Sequence, residues 1–232
     1  HTFTAGGGGN EVGASHYCVE FESGEILAVD CGGRPYSDTI DIEALNLSEE
    51  KRLMIQRLAK KKLPKKPFPK LVATKRVDYL LVTHGHDDHV RAIPLLVKMY
   101  PKIRIFATFE TKALMHYQWY GSVQIAERRG ERPPYEYADI EAALRRIEVV
   151  PATDEFIPPI ALSDNLSFVP VRAGHILGAV SYFVIYKGEV LGFFSGDISF
   201  DDQRTVRGAP KIALDGIRFA VTAIVCFIFG LG

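Results

Sequence analysis

Three imidazoles and a carboxylate fall within the six positions His84 to His89 of Thr83-His84-Gly85-His86-Asp87-Asp88-His89, a His-x-His-x-Asp-His spacing placed straight after the apolar run Tyr79 to Val82. Imidazole and carboxylate together are a donor set for divalent cations such as zinc. Side chains two apart at the end of a strand point the same way, so His84 and His86 are expected to face one ion together. Asp88 and His89 lie past the strand, where the chain is free to turn toward a second, adjacent ion. Such a pair activates water. The competing reading, a histidine-rich surface turn that binds nothing, leaves the strand pattern before the motif and the helix pattern after it unexplained.

Further donors stand at other strand ends. His175, in Ala173-Gly174-His175-Ile176-Leu177-Gly178-Ala179, is flanked by glycines that let the backbone come close to an ion, and it is the natural third nitrogen ligand. Asp197, in Phe194-Ser195-Gly196-Asp197, offers a carboxylate able to bridge two ions, and Asp30, in Val29-Asp30-Cys31-Gly32-Gly33, ends a strand in the same fashion. A lone strand-end Asp reads most simply as a turn residue. Three strand ends presenting such groups at once favour a shared site.

These groups need an alternating frame of strands and helices behind them. Strands are expected at Tyr17 to Phe21 and Ile26 to Val29, joined by the turn Glu22-Ser23-Gly24-Glu25. Ser48 with Glu49 and Glu50 opens a basic helix that ends before Pro64, and a proline-broken loop follows from Leu63 to Lys70. After the metal-bearing strand come a helix from about Val90 to Met99, a strand Ile103 to Ala107, a helix from about Thr111 to Arg129 and another over Ala138 to Ile147. The remainder reads as strand: Glu148 to Val150, Leu166 to Val171, Val180 to Tyr186 and Val190 to Phe194. The alternation signals an α/β layer structure.

Composition bounds the rest. The 232 residues are 47% hydrophobic and 24% charged, enough to bury a core without staples, and 28 basic against 28 acidic residues give no whole-molecule field for a polyanion. The three cysteines, Cys18, Cys31 and Cys226, lack metal-ligand spacing and are odd in number, which suits a reducing cytoplasm and small buried side chains. The first residues, His1-Thr2-Phe3-Thr4, carry no secretory pattern, and the absent initiating Met hints at a trimmed or partial chain.

Taken in order, Gly9-Asn10-Glu11-Val12-Gly13-Ala14-Ser15, Ala28-Val29-Asp30-Cys31-Gly32, Thr83 to His89 with Ala92-Ile93-Pro94-Leu95-Leu96, Ala173 to Ala179 and Ser195-Gly196-Asp197 resemble the metallo-β-lactamase superfamily. Within it they resemble the β-CASP nucleases that process RNA or DNA, with Gly174-His175-Ile176-Leu177-Gly178-Ala179 as the discriminating element. The resemblance implies the αββα sandwich over residues 1–232, incomplete at its C-terminal end, and an RNA hydrolase whose nucleophile is a hydroxide held between two zinc ions. Manganese is the alternative ion and DNA the alternative substrate. His84, His86 and His175 would hold the first zinc, Asp88 and His89 the second, Asp197 both, and Asp30 would orient ligating imidazoles; Asp30, Asp88 and Asp197 are the acids given catalytic work. A small-ester hydrolase, a thioesterase or lactonase, and a silent RNA-binding fragment or subunit are the competing readings.

The family pattern continues with an acid-Ser/Thr-Thr-Tyr-Gly segment, an inserted domain and later histidines that this sequence lacks, which implies a second ion short of one ligand and a missing general acid. The apolar stretch Gly216 to Gly230 stands in their place. It is shorter than the roughly 20 residues of a membrane span, and reads as a buried strand or as an aberrant end. Between Lys51 and Arg76 stand eleven basic residues and no acid. They form either a solvated face or, beside the metal strand, a phosphate-contacting patch for single-stranded RNA. Gly6 to Gly9 reads as a glycine turn, since no Gly-Lys-Ser/Thr follows. His16 and His116 read as surface or partly packed, and His116-Tyr117-Gln118-Trp119-Tyr120 as core packing. Oligomeric state leaves no mark in the sequence.

Overall fold

The computed structural model describes residues 1–7, 13–33, 76–154, 157–211 and 219–224, the last by backbone alone. β1 (Thr2–Gly7), β2 (His16–Glu20) and β3 (Ile26–Val29) pair antiparallel in sequence. From β3 the sheet continues in parallel through β4 (Tyr79–Leu81), β5 (Arg104–Ala107) and β6 (Ile147–Val149), giving the order β1-β2-β3-β4-β5-β6. Parallel neighbours need crossovers. α1 (Asp87–Val90) and α2 (Ile93–Met99) connect β4 to β5, and α3 (Phe109–Arg128) and α4 (Tyr137–Leu144) connect β5 to β6. A second sheet holds, side by side, β11 (Phe219–Ile224), β10 (Glu189–Ile198), β9 (Val180–Tyr186), β8 (Leu166–Arg172) and β7 (Ile160–Ala161). Its pairs are antiparallel except β10 with β11, which run parallel.

Alternation along β3 divides its side chains between two cores. Ala28 joins Leu80, Ile105, Leu96, Met115, Trp119 and Ile140 under the helices, while Leu27 and Val29 join Leu81, Phe106, Phe168, Tyr182 and Phe194 between the sheets. This is the period-two division of a sheet covered on both faces. Each large side chain so buried stabilises the fold by roughly 1.5 to 3 kcal/mol. The four described helices all pack on the first sheet, and a further buried cluster, Val169, Val171, Phe183 and Phe193, occupies the far face of the second. Helix layer and two facing sheets are those of the expected α/β sandwich.

Several boundaries differ from the sequence-based expectation. The helix expected to run to Ile147 stops at Leu144, and Ile147 instead opens β6 and pairs with Ile105. α3 begins at Phe109 because the Thr108 hydroxyl caps it, accepting from Thr111 N at 3.2 Å. The helix expected from Val90 is split in two at Arg91-Ala92, where Ala92 N donates to Cys31 O. β10 runs through Ser195-Gly196-Asp197 to Ile198 rather than ending at Phe194, while β1 and the two-residue β7 were not anticipated. Gly6 and Gly7 of the expected glycine turn close β1, and Gly8 and Gly9 lie outside the described residues. The helix from Ser48, the loop Leu63 to Lys70 and residues 51–75 of the basic segment lie outside the described residues. Of the apolar tail, Phe219–Ile224 is strand, as expected.

Candidate metal centre

The candidate ligands gather where β3, β4 and β8 end and where β10 passes Asp197. After β3 the chain turns through Asp30, whose φ of +55° is uncommon for a side-chain-bearing residue. Its N–H donates to Leu81 O at 2.9 Å and its carbonyl accepts from His16 Nδ1 at 2.8 Å. Beyond it, Cys31 N and Gly33 N donate to the carbonyls of His89 and Asp87 at 2.8 and 2.9 Å, and Ser15 N donates to Asp88 O at 2.9 Å. The turn bearing the second half of the His-x-His-x-Asp-His run is thus laced to the loop after β3. A Cβ at Gly32 would run into the Asp88 carbonyl, so only glycine allows this approach. Behind the turn, Trp119 Nε1 donates to Val90 O at 3.0 Å and anchors α3 to α1.

Four of the candidates, His84, His86, His175 and Asp197, bring one donor atom each to within 4.8 Å of one another, a group that could hold a metal ion. His86 Nδ1 lies 3.1 Å from both His84 Nε2 and His175 Nε2. Tetrahedral zinc with nitrogen bonds of about 2.0 to 2.1 Å sets its ligand atoms roughly 3.3 Å apart, so the spacing fits such an ion. Asp197 Oδ2 faces His175 Nε2 at 3.4 Å and His84 Nε2 at 3.8 Å, whereas Asp197 Oδ1 faces His89 Nε2 at 3.4 Å. Asp88 Oδ2 stands 3.8 Å from the same His89 nitrogen. Asp197 therefore divides two donor groups, three imidazoles on one side and His89 with Asp88 on the other. Asp30 touches neither group's inner face; its Oδ2 accepts from His89 Nδ1 at 2.8 Å, behind the ring.

Charge in the cluster is held by burial and by these contacts. Burial pushes the His84 imidazole well below its ordinary range, and the neighbouring rings of His89, His86 and His175 push it the same way. His175 is lowered as well, chiefly by burial. For His89 burial also acts downward, but the carboxylates of Asp30, Asp197 and Asp88 outweigh it and raise the ring to about 10. Burial would raise the Asp197 carboxyl; the His89 proton and the surrounding rings more than offset it, and the group is lowered. Imidazoles held neutral at His84 and His175 beside a retained Asp197 carboxylate match the protonation states a metal requires.

Three side chains with a part in this frame went unassigned or misread. His16 is buried at 1% exposure, not at the surface, with Nδ1 on the Asp30 carbonyl and Nε2 3.7 Å from Cys18 Sγ. Its position two residues before buried Cys18 on β2 was the available signal. Gln203 donates from Nε2 to the carbonyls of Gly174 and His175 at 3.0 and 2.9 Å, clamping the His175 loop from 28 residues away, a separation that leaves no local trace. Thr83 adjoins His84 and bonds Asp30. His116 is exposed, and in its aromatic run Trp119 is fully buried whereas Tyr117 is 79% exposed, so only part of that run is core. Cys18 and Cys31 are buried free thiols, and burial pushes Cys18 up to about 12.

The profile of the metallo-beta-lactamase superfamily matches residues 29–221, a span that takes in Asp30, the histidine run, His175 and Asp197. The chain belongs to the metallo-beta-lactamase superfamily. Among curated relatives, this superfamily member is 30% identical over 199 residues to Endoribonuclease ysh1 of Schizosaccharomyces pombe, covering 85% of the chain and 22% of that protein. It is 28% identical to Cleavage and polyadenylation specificity factor 73 of Drosophila melanogaster, over 88% of the chain and 25% of the relative. With Transcription termination factor FttA of Methanosarcina mazei the identity is 29%, over 87% and 28%. The chain thus spans about a quarter of the length of these relatives. Their names bear out the resemblance to β-CASP RNA-processing nucleases. Among the described residues no helix is long and apolar enough to cross a membrane.

Proposed function

We propose that the chain carries the two-ion centre of an RNA phosphodiesterase. His84, His86, His175 and Asp197 hold one divalent cation, and Asp88, His89 and Asp197 the other. The observation that carries this reading is Asp197, whose two oxygens face different donor groups at 3.4 Å each. Nitrogen with carboxylate oxygen favours zinc, with manganese the alternative. A pair of divalent cations supplies Lewis-acid polarisation of a phosphoryl oxygen and water of lowered pKa. Asp30, by accepting from His89 Nδ1–H, turns Nε2 inward as the ligating atom. The relatives' names support RNA as substrate, and the buried free thiols of Cys18 and Cys31 support a reducing cytoplasm. RNA contact through Lys51 to Arg76 is part of the proposal; Arg76 itself is occupied by Asp78 at 3.1 Å and by the Gly24 carbonyl at 2.9 Å, so any phosphate contact falls to the other members.

Metal analysis and incubation with labelled single-stranded RNA test the reading. Two zinc per chain with cleavage support it; one zinc with tight RNA retention and no cleavage indicates a silent binding fragment, and thioester hydrolysis without RNA cleavage a small-ester enzyme. A pH dependence is also expected. His89, raised to about 10, holds a proton that zinc must displace, so affinity at that group should fall about tenfold per unit as pH drops from 8.5 to 6.5. Calorimetry in buffers of different ionisation enthalpy would read about one proton released; no release, with affinity flat across this range, would show that His89 carries no such proton in the metal-free protein.

A further inference from the structure

Thr83 is buried at 1% exposure, one residue before His84, and all of its polar atoms are engaged. Its N–H donates to Asp30 Oδ1 at 2.8 Å and its carbonyl accepts from Val180 N at 2.9 Å on the second sheet. The hydroxyl donates to Asp30 Oδ2 at 2.8 Å. A hydroxyl has one proton, so toward His84 Nδ1, 3.1 Å away, the same oxygen can only accept. The His84 proton therefore lies on Nδ1, and its Nε2 lone pair points into the cluster. Asp30 Oδ2 also accepts from His89 Nδ1 at 2.8 Å, which orients that ring in the same way. One hydrogen-bonded unit, His84 to Thr83 to Asp30 to His89, stands behind a ring of each donor group. On its other side Thr83 supports the strand that presents Asp197: a Cβ at Gly196 would come within 2.6 Å of Thr83 Cβ and 2.7 Å of its Oγ1, and Gly196 holds a φ of +54° there. Only glycine lets β10 lie on the threonine at this point.

We infer that Thr83 is the positioning residue that couples the two donor groups. Its hydroxyl, shared between Asp30 and His84, fixes the tautomer of His84 directly and holds in place the Asp30 carboxylate that orients His89, and so sets the affinity of both groups for divalent cations. A valine would fill the same volume yet neither accept from His84 nor donate to Asp30, leaving two buried partners unmatched. A serine would keep both bonds. The coupling of cation affinities rests on the two-ion reading above; the tautomer of His84 does not.

The test compares Thr83→Val and Thr83→Ser with the parent chain in two measurements. Nitrogen-15 spectra of the metal-free protein report the imidazole tautomer of His84, and zinc titration against a chromophoric chelator reports affinity and stoichiometry. The parent and the serine variant are expected to show the Nδ1–H form. The valine variant should shift toward Nε2–H and bind zinc about 10- to 100-fold more weakly at both groups. Zinc binding in Thr83→Val at parental affinity with His84 unchanged would overturn the inference, as would a serine variant as impaired as the valine one, which would mark the role as packing alone. A parent chain that takes no zinc would refute the two-ion reading while the tautomer comparison still decides the part of the hydroxyl. Thr83→Ala replaces the valine variant in both measurements if that one does not fold.

Discussion

Asp197→Ala is expected to abolish RNA cleavage and to bring bound zinc below two per chain, with retention of single-stranded RNA little changed. Among the described residues this carboxylate is the group that faces both donor sets, with Oδ2 toward His84 and His175 and Oδ1 toward His89. Residues that only support a ligand are typically worth 10- to 100-fold in metal affinity, so removal of the shared ligand should exceed about 100-fold. Alanine also removes the carboxylate that faces the protonated His89 ring at 3.4 Å. Elemental analysis after dialysis and a cleavage assay measure both effects. A variant that retains two zinc and full activity would remove Asp197 from the centre.

The second large effect is on stability. Asp30→Ala should destabilise the metal-free protein by about 3 to 5 kcal/mol, because it strips the acceptor from a buried, hydrogen-bonded charge pair with His89. The carboxylate is 1% exposed and receives three donors, Thr83 N, Thr83 Oγ1 and His89 Nδ1, each at 2.8 Å. For a chain of this size the melting temperature should fall by about 6 to 20 °C. Alanine is also a poorer occupant than aspartate of the +55° φ at this position, whereas glycine is a better one. Asp30→Gly therefore separates backbone from carboxylate: a loss close to that of alanine assigns the effect to the lost acceptor, and recovery of most of the stability assigns it to the turn. A loss below about 1 kcal/mol in both variants would mean that water satisfies the three donors.

Local chemistry explains what could be read in advance. The ligand run announced itself because His84, His86, Asp88 and His89 are neighbours in sequence, and β3 and β9 were bounded as observed because hydrophobic runs there meet abrupt turns. His175 and Asp197 could be named from strand ends, but their meeting depends on two sheets packing face to face, which no local pattern encodes. β10 runs past its expected end at Phe194 because Gly196 is a point of close contact inside the strand, with a register shift toward β11 between Phe194 and Asp197. His16 stands in no motif, and residue type alone places a lone histidine near the surface rather than at the 1% exposure it has. Strand alternation with Cys18 would have turned it inward. Gln203 and Thr83 act through hydrogen bonds to atoms whose positions tertiary structure alone sets, and no spacing rule marks them.

The histidines of the 84–89 run leave the first sheet, whereas His175 and Asp197 belong to the second, so neither layer owns a whole set of donors. A cation gripped from both sides would act as a rivet through the sandwich, resisting the sliding of one layer over the other. Zinc starvation would then do more than silence a reaction: the same deficit would slacken the body of the protein along its seam.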